Sequence, residues 1–499
     1  MTGERMSWRG RFAGLMNLGS GIVCLAVISS VFWRVGCDYP ILLPLSAVVM
    51  AGLVGFASVK MPRAVFLLSY MGLIVFQAVT IMFIEMDYQH IMFDAGRVVR
   101  SAMSWANGAS PEYKYFWLYP FNQYIEYIFF GIFKLSRAVL GTTDVRALMV
   151  ANACFIDLSI LLTVKTARLL MAEGGHAYVV GTVCSITPAF CLFVPVCYSD
   201  TVCLPFLSGG LLLLLADVRA RQTGGAHSGG RWHYPALAGA LLYCGYAMKG
   251  CPVFMLVAGL LYAVVTLARR QAAVVVGLAL VGVLIGMGAL KTLESTMGLV
   301  NRAKAERYRM PLAHNVMMGL RGLGGYDADD VNFTRSFPTL EEKQRANIAK
   351  IKERVGELGL VGLIRKFRDK SIFTWAYGDC GVAGYIGDND KPIRKTFLHS
   401  FVLHGGRYWP FISGVSEGLY LGLLLLVAIG CIRNLFRAGV SPESPLRMFL
   451  SACMLFFMVW EAHPRYSFHA RLAVILLAMV EVGDLSEMVF KKRMTRERE

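Results

Sequence analysis

Carboxylates and cations at the ends of long apolar runs are the side chains of this sequence best placed to do chemistry. Asp87 and Asp94 fall in FIEMDYQHIMFDAGRVVRSA, together with Glu85, where an apolar run gives way to polar chain. On a continued helix, residues with the spacing of Asp87 and Asp94 share one face. A partly desolvated carboxylate at such a boundary is suited to act as general base on a sugar or lipid hydroxyl, although carboxylates there also serve as plain interfacial anchors. Asp200, in PVCYSDTVCLPF, sits between two apolar segments with almost no loop, a costly place for a charge that lacks a partner. Asp-Thr there also reads as a helix cap. Lys249, in YAMKGCPVF, stands alone at the end of an apolar run. It either snorkels to the interface or meets a lipid phosphate.

A late turn, VWEAHPRYSFHAR, crowds Glu461, His463, Arg465, Tyr466 and His469 together. Its arginine can grip a phosphate through two parallel hydrogen bonds. The two histidines lack the i, i+4 spacing of a helical metal pair, so no metal is assigned to them. Further upstream, HNVMMGLRGLGGYDADDVNFT joins His314, a Met pair and glycines to Asp327, Asp329 and Asp330. It lacks the twelve-residue ligand pattern of a calcium loop and reads as a structured turn over a site. Asn332-Phe333-Thr334 matches a glycosylation sequon.

The elements that must position these groups are membrane helices. Hydrophobic residues make up 56% of the chain, and the mean hydropathy is +0.53. Apolar runs such as 41–59 and 419–432 recur from end to end, so lipid rather than a soluble core is the solvent. The formal net charge of +17 is dispersed between the runs with no groove-binding motif. This pattern excludes nucleic acid and fits positive-inside anchoring. Most of the twelve Cys lie inside apolar segments and none forms C-x-x-C, so neither a disulfide framework nor a structural zinc is expected. Arg5, Arg9 and Arg11 precede an apolar run with no small-residue cleavage site after it, which reads as a retained first span.

The expected fold is all-α, a polytopic transmembrane bundle of about twelve spans. These lie near 13–33, 40–59, 64–84, 146–168, 177–197, 202–218, 234–248, 252–268, 272–290, 412–432, 448–461 and 470–490. Residues 119–138 decide the topology. Laid in the interface rather than across the membrane, they put Arg5/Arg9/Arg11, Lys60/Arg63, Lys165/Arg168, Arg219/Arg221/Arg231, Arg269/Arg270, Arg433/Arg437 and Lys491/Lys492/Arg493 all on the cytoplasmic side. Asn122, Glu126, Lys134 and Arg137 suit such an interfacial helix. The chain then divides into a transmembrane module, 1–290, with an outer loop at 85–145; an extracytoplasmic loop region, 291–411; and C-terminal helices with a basic tail, 412–499. In the long loop, Thr339 and Glu342 form a capping-box pattern. Ile348, Ile351, Val355 and Leu358 follow at helical spacing.

The order of these features resembles the GT-C superfamily of polytopic glycosyltransferases: an acidic first outer loop, a YP-x-N helix, Y-S-D-T, M-K-G-x-P and a late E-x-x-P-R-Y. The protein O-mannosyltransferase and aminoarabinose-transferase type is the nearest in pattern, especially a Gram-positive bacterial group sharing an H-x-x-M-M-G-L outer loop. The resemblance runs from about 80 to 475. It implies a multi-pass enzyme of the cell membrane that moves a sugar from a polyprenyl-phosphate donor to a glycan, lipid or protein acceptor of the cell envelope. Transfer would occur on the extracytoplasmic face with inversion. Asp87 would correspond to the first-loop acid, with Asp94 as competitor, and Asp200 to the second-loop acid. Lys249, Arg465 and Tyr466 would lie at the donor phosphate, and His314 and Glu461 in the substrate loops. Two additional spans before the acidic loop depart from the pattern and leave Asp87 and Asp94 as alternatives. Superfamily members differ in metal use, so the resemblance implies no definite cofactor and leaves a divalent cation open.

Two other readings use the same residues. A transporter or flippase of lipid-linked saccharides would bind the same headgroup, but such proteins place charges near the midplane and show repeated halves. A non-catalytic envelope-assembly protein would tolerate substitution at Asp87, Asp200, Lys249 and Arg465.

Overall fold

The runs expected to span are helical over most of their described length in the computed structural model, which describes residues 8–57, 61–84, 86, 88, 93–171, 174–224, 231–387, 396–437 and 439–496. The fold is an all-α membrane bundle with no strand among the described residues. Among the described residues, six helices are long and apolar enough to cross a bilayer: Trp8–Asp38, Arg63–Phe83, Val145–Leu170, Ser199–Thr223, Arg269–Met297 and Trp409–Asn434. Shorter apolar helices, Leu42–Gly55, His176–Ile186, Pro252–Thr266 and Ser444–Val459, pack among them.

Burial separates the outer helices from the central ones. Arg63–Phe83 and Arg269–Met297 bury only 22% of their most apolar window and present Leu68, Leu284 and Ile285 outward, as helices facing lipid do. Ser199–Thr223 buries 72% of its window, and it is this helix that carries Asp200 in its first turn. Close packing is achieved with small residues. His233–Met248 lies so near Arg269–Met297 that a Cβ on Gly282 would fall 1.8 Å from the Ala236 carbonyl oxygen.

Two expectations need correction. The span drawn over 177–197 is not one helix. It ends at Ile186, because the residue before Pro188 is driven out of the helical region, and a short turn of helix, Pro188–Leu192, follows. The irregular backbone beyond it is satisfied internally, as apolar surroundings demand. Asn152 Nδ2 donates to the Phe193 and Val194 carbonyls at 2.9 Å, while Tyr88 Oη donates to Pro195 O at 2.6 Å and accepts from Cys197 N at 3.0 Å. Second, the helix holding the third span stops at Phe83 and a new one begins at Asp94, so Asp94 does not continue the helix of the acidic loop. The segment 119–138 is helical: it begins as a 3₁₀ turn, Pro120–Asn122, and becomes the helix Gln123–Leu140, which packs on Asp94–Ala106.

The capping box at Thr339 and Glu342 is formed, and the helix it starts runs to Trp375. Gly359 kinks that helix with φ 58° and ψ −175°, a conformation only glycine adopts readily. The acidic run after His314 is consumed by ion pairs. Arg354 grips Asp330 with both terminal nitrogens, at 2.6 and 2.7 Å, and Arg321 reaches Asp327 at 2.7 Å and Asp329 at 2.9 Å. Burial alone would raise Asp330, but Arg354 and then Arg321 hold it below the usual carboxylate range. These carboxylates fasten the region around 314–354 together.

Candidate functional site

At one end of the bundle, the starts and ends of three separate segments bring their charges to a single buried point. Tyr198 and Asp200 come from the break before Leu204–Thr223, Lys249 from the C-cap of His233–Met248, and Arg465 from the 3₁₀ segment Pro464–Ala470. Lys249 Nζ lies 2.6 Å from Asp200 Oδ1, and Arg465 Nη1 lies 3.7 Å from Asp200 Oδ2. One carboxylate therefore stands between two cations, all three largely removed from solvent. A lone buried charge here would be strongly unfavourable, and the pairing accounts for Asp200 being where it is.

Aromatic rings wall the cations in. The Arg465 guanidinium carbon lies 4.9 Å from the Tyr198 ring centroid, 5.2 Å from Tyr385, 5.4 Å from Tyr466 and 6.0 Å from Phe93. Lys249 Nζ sits 4.4 Å above Tyr466. Ring faces stabilise a cation without supplying a competing counter-ion. Arg465 Nε and Nη1 are buried with no hydrogen-bond acceptor among the described residues. Buried donors of a guanidinium are rarely left so, and two on one side chain leave a place for an oxyanion.

The flanking groups form two hydrogen-bonded arms. On one, Tyr198 Oη donates to Asn122 Oδ1 at 3.1 Å, Asn122 Nδ2 donates to Tyr115 Oη at 2.5 Å, and the Tyr115 hydroxyl meets Asp94. Asp94 is thus linked to Arg465 through three polar side chains. Burial pushes the Tyr115 hydroxyl well up, and Asp94 adds to the effect. On the other arm, the Tyr466 hydroxyl bonds Glu461, whose carboxyl is raised by burial while Arg465 pulls it back. Tyr385 Oη lies 2.6 Å from His463 Nδ1, and burial, aided by Arg465, pushes that imidazole down to about 3, so it is neutral.

Asp94, Asp200, Lys249, Arg465, Tyr466 and Glu461 therefore converge. Asp87 lies outside the described residues. His314 sits elsewhere: it is buried within the region 291–411 with Nδ1 2.8 Å from Thr334 Oγ1, and burial lowers it to about 4. That region still touches the site, through backbone. Lys370 Nζ donates to Trp460 O at 2.5 Å, and Ala462 N donates to Gly324 O at 2.7 Å, clamping both sides of Glu461.

Sequence reasoning missed Tyr385, Tyr115 and Phe93. Tyr385 lies in GVAGYIG, a stretch of ordinary loop composition with nothing to mark it. Tyr198 was visible only as a member of a short motif, and Asn122 only as a residue suited to an interfacial helix.

A family model described as "Conserved hypothetical integral membrane protein" matches residues 45–482. No curated protein matches the sequence. Among solved structures, the archaeal oligosaccharyltransferase AglB from Archaeoglobus fulgidus, in complex with an inhibitory peptide and a dolichol-phosphate, is similar with a TM-score of 0.42 and 14% identity. The similarity covers 86% of this chain and 51% of that one, so the chain spans about half the length of that protein.

Proposed function

The chain belongs to the family of conserved hypothetical integral membrane proteins, and we propose that within it this protein is a GT-C-type glycosyltransferase. It takes a sugar from a polyprenyl-phosphate donor and transfers it, with inversion, to an acceptor of the cell envelope on the extracytoplasmic face. The observation that carries this reading is Arg465. Its guanidinium is buried and ringed by aromatic side chains, its Nε and Nη1 make no hydrogen bond among the described residues, and it shares the Tyr466 ring with Lys249. Such a cradle suits a phosphate whose hydrocarbon tail remains in the bilayer.

In this mechanism the acceptor oxygen attacks the anomeric carbon from the face opposite the phosphate. The bond between that carbon and the phosphate oxygen breaks, and the electron pair leaves with the lipid phosphate. Lys249 and Arg465 stabilise the negative charge that develops there, in surroundings where little water competes. The proton of the acceptor passes to a carboxylate. Asp200 is occupied by Lys249 at 2.6 Å and is better suited to holding the two cations apart and aimed. Asp94, at the first turn of its helix and tied to the cluster through Tyr115, Asn122 and Tyr198, is the described residue suited to act as base, with Asp87 as its competitor. A departing phosphate needs no strong acid, which agrees with the neutral His463.

The test is transfer of labelled sugar from polyprenyl-phosphate donors to envelope acceptors in membranes that contain the protein. Activity should fall by at least tenfold in Lys249→Ala, and in either Asp94→Asn or Asp87→Asn. Full activity in both aspartate variants would remove the base assignment. Movement of intact donor across the bilayer without any transfer would favour the flippase reading instead.

A further inference from the structure

Directly behind the charged cluster lie three soft ligands that the transfer mechanism does not use. Cys251 is the N-cap of Pro252–Thr266, Cys453 lies within Ser444–Val459, and His469 belongs to the 3₁₀ segment Pro464–Ala470. Each is at most 1% exposed. One ligand atom from each lies within 4.8 Å of the others, and they are the one such group among the described residues. Cys453 Sγ and His469 Nε2 are 3.8 Å apart, while His469 Nδ1 is buried without a hydrogen-bond partner.

We propose that Cys251, Cys453 and His469 form a buried binding site for a thiophilic d¹⁰ metal ion, zinc(II) or copper(I). Tetrahedral ligands at Zn–S of about 2.3 Å and Zn–N of about 2.05 Å stand about 3.8 Å (S to S) and about 3.6 Å (S to N) apart. Cys453 Sγ and His469 Nε2, at 3.8 Å, stand near that spacing, and all three ligand atoms lie within 4.8 Å of one another. The donor set of two thiolates and one imidazole selects such ions over magnesium or calcium, which prefer oxygen. Binding releases the two thiol protons to solvent, and Lys249, two residues before Cys251, supplies positive charge beside the thiolates.

The consequence for the site is mechanical. Cys251 follows Lys249 by two residues and His469 follows Arg465 by four, while Cys453 belongs to the helix preceding the Arg465 turn. An ion held by all three ties the two cation-bearing segments to one another and fixes the gap into which the phosphate must fit. The C-x-x-C spacing that usually reveals zinc sites in a sequence is absent because the ligands arrive from three different elements.

The experiment is elemental analysis of the full-length protein purified in detergent, which needs no sugar donor and therefore stands or falls separately from the proposed transfer. The expected result is about one zinc or one copper per chain, the element found distinguishing the two. Cys251→Ser and Cys453→Ser should each lose it. Cys184→Ser, altering a buried thiol elsewhere, should keep it, and Cys453→His, which preserves a soft donor, should retain most of it. Should the serine variants fail to fold, cobalt(II) added to chelator-treated wild type decides. A thiolate-to-cobalt charge-transfer band supports the site, and its absence overturns it. Wild type that neither contains nor takes up metal, metal retained by a Cys251→Ser/Cys453→Ser double variant, or a Cys251–Cys453 disulfide would each overturn the proposal.

Discussion

Replacing Arg465 with lysine separates charge from geometry at the proposed phosphate cradle. The substitution keeps one positive charge near Asp200, now 3.7 Å from Arg465 Nη1, but removes the planar fork. A hydrogen bond to a charged group contributes about 1.5–3 kcal/mol. Nε and Nη1 offer two such bonds, and an ammonium can supply one in their place. The net loss is one bond, and at about 1.4 kcal/mol per tenfold this weakens binding about 10- to 150-fold. Stability should hardly change, because the two donors meet no acceptor within the described residues of the protein itself. The assay is affinity for a short-chain polyprenyl phosphate by native mass spectrometry in detergent, with thermal unfolding measured alongside. Arg465→Ala, which removes both bonds at about 3–6 kcal/mol, should weaken binding about 10²- to 10⁴-fold. Arg465→Lys binding within about threefold of wild type would refute the reasoning.

Three further outcomes are expected. Burial, with some help from Lys366, lowers Lys370 to about 7. Between that value and the unfolded lysine's ~10.4 the unfolded chain holds the extra proton, so this group makes stability rise with pH by up to about 1.4 kcal/mol per unit. Lys370→Met should flatten the rise in melting temperature between about pH 7 and pH 9, and an unchanged slope would contradict the assignment. Burial lowers His314 to about 4. Unfolded histidine protonates near 6.5, so stability is lost as pH falls from about 6.5 to about 4, and His314→Gln should lessen that acid sensitivity. Gly359→Ala forces a side chain onto φ 58° and ψ −175°, at a cost of about 1–3 kcal/mol. Its melting temperature should fall, whereas an unchanged one would mean the kink relaxes freely.

Much of the bundle was legible because each span is a long apolar run whose ends carry charge, and the Thr339 cap was legible because its two partners are local in sequence. The break after Ile186 could have been read from Pro188, yet the apolar composition on both sides concealed it. Satisfying that break needed Asn152 and Tyr88 from distant segments, and no local pattern encodes such a partnership. The acids and cations of the site were identifiable one by one from their cost in an apolar setting. Their mutual arrangement was not, since Asp200, Lys249 and Arg465 meet only when three segment ends converge. The roles of neighbouring aromatic residues were hidden for the same reason: a tyrosine in a membrane protein has many ordinary uses, and only its ring against Arg465 distinguishes Tyr385.

The central claim is that the charged cluster and the long loop over it face the outside of the cell. It is tested most directly by single-cysteine labelling in intact cells with an impermeant maleimide, after Cys37 and Cys154, both exposed, are replaced. Leu140, Tyr326, Trp232 and Phe436 are well-exposed positions at which to place the reporter. The account predicts labelling from outside at Leu140→Cys and Tyr326→Cys, with Trp232→Cys and Phe436→Cys labelled only after the membrane is opened. The reverse pattern, or labelling that places Leu140 and Tyr326 on opposite sides, would contradict it.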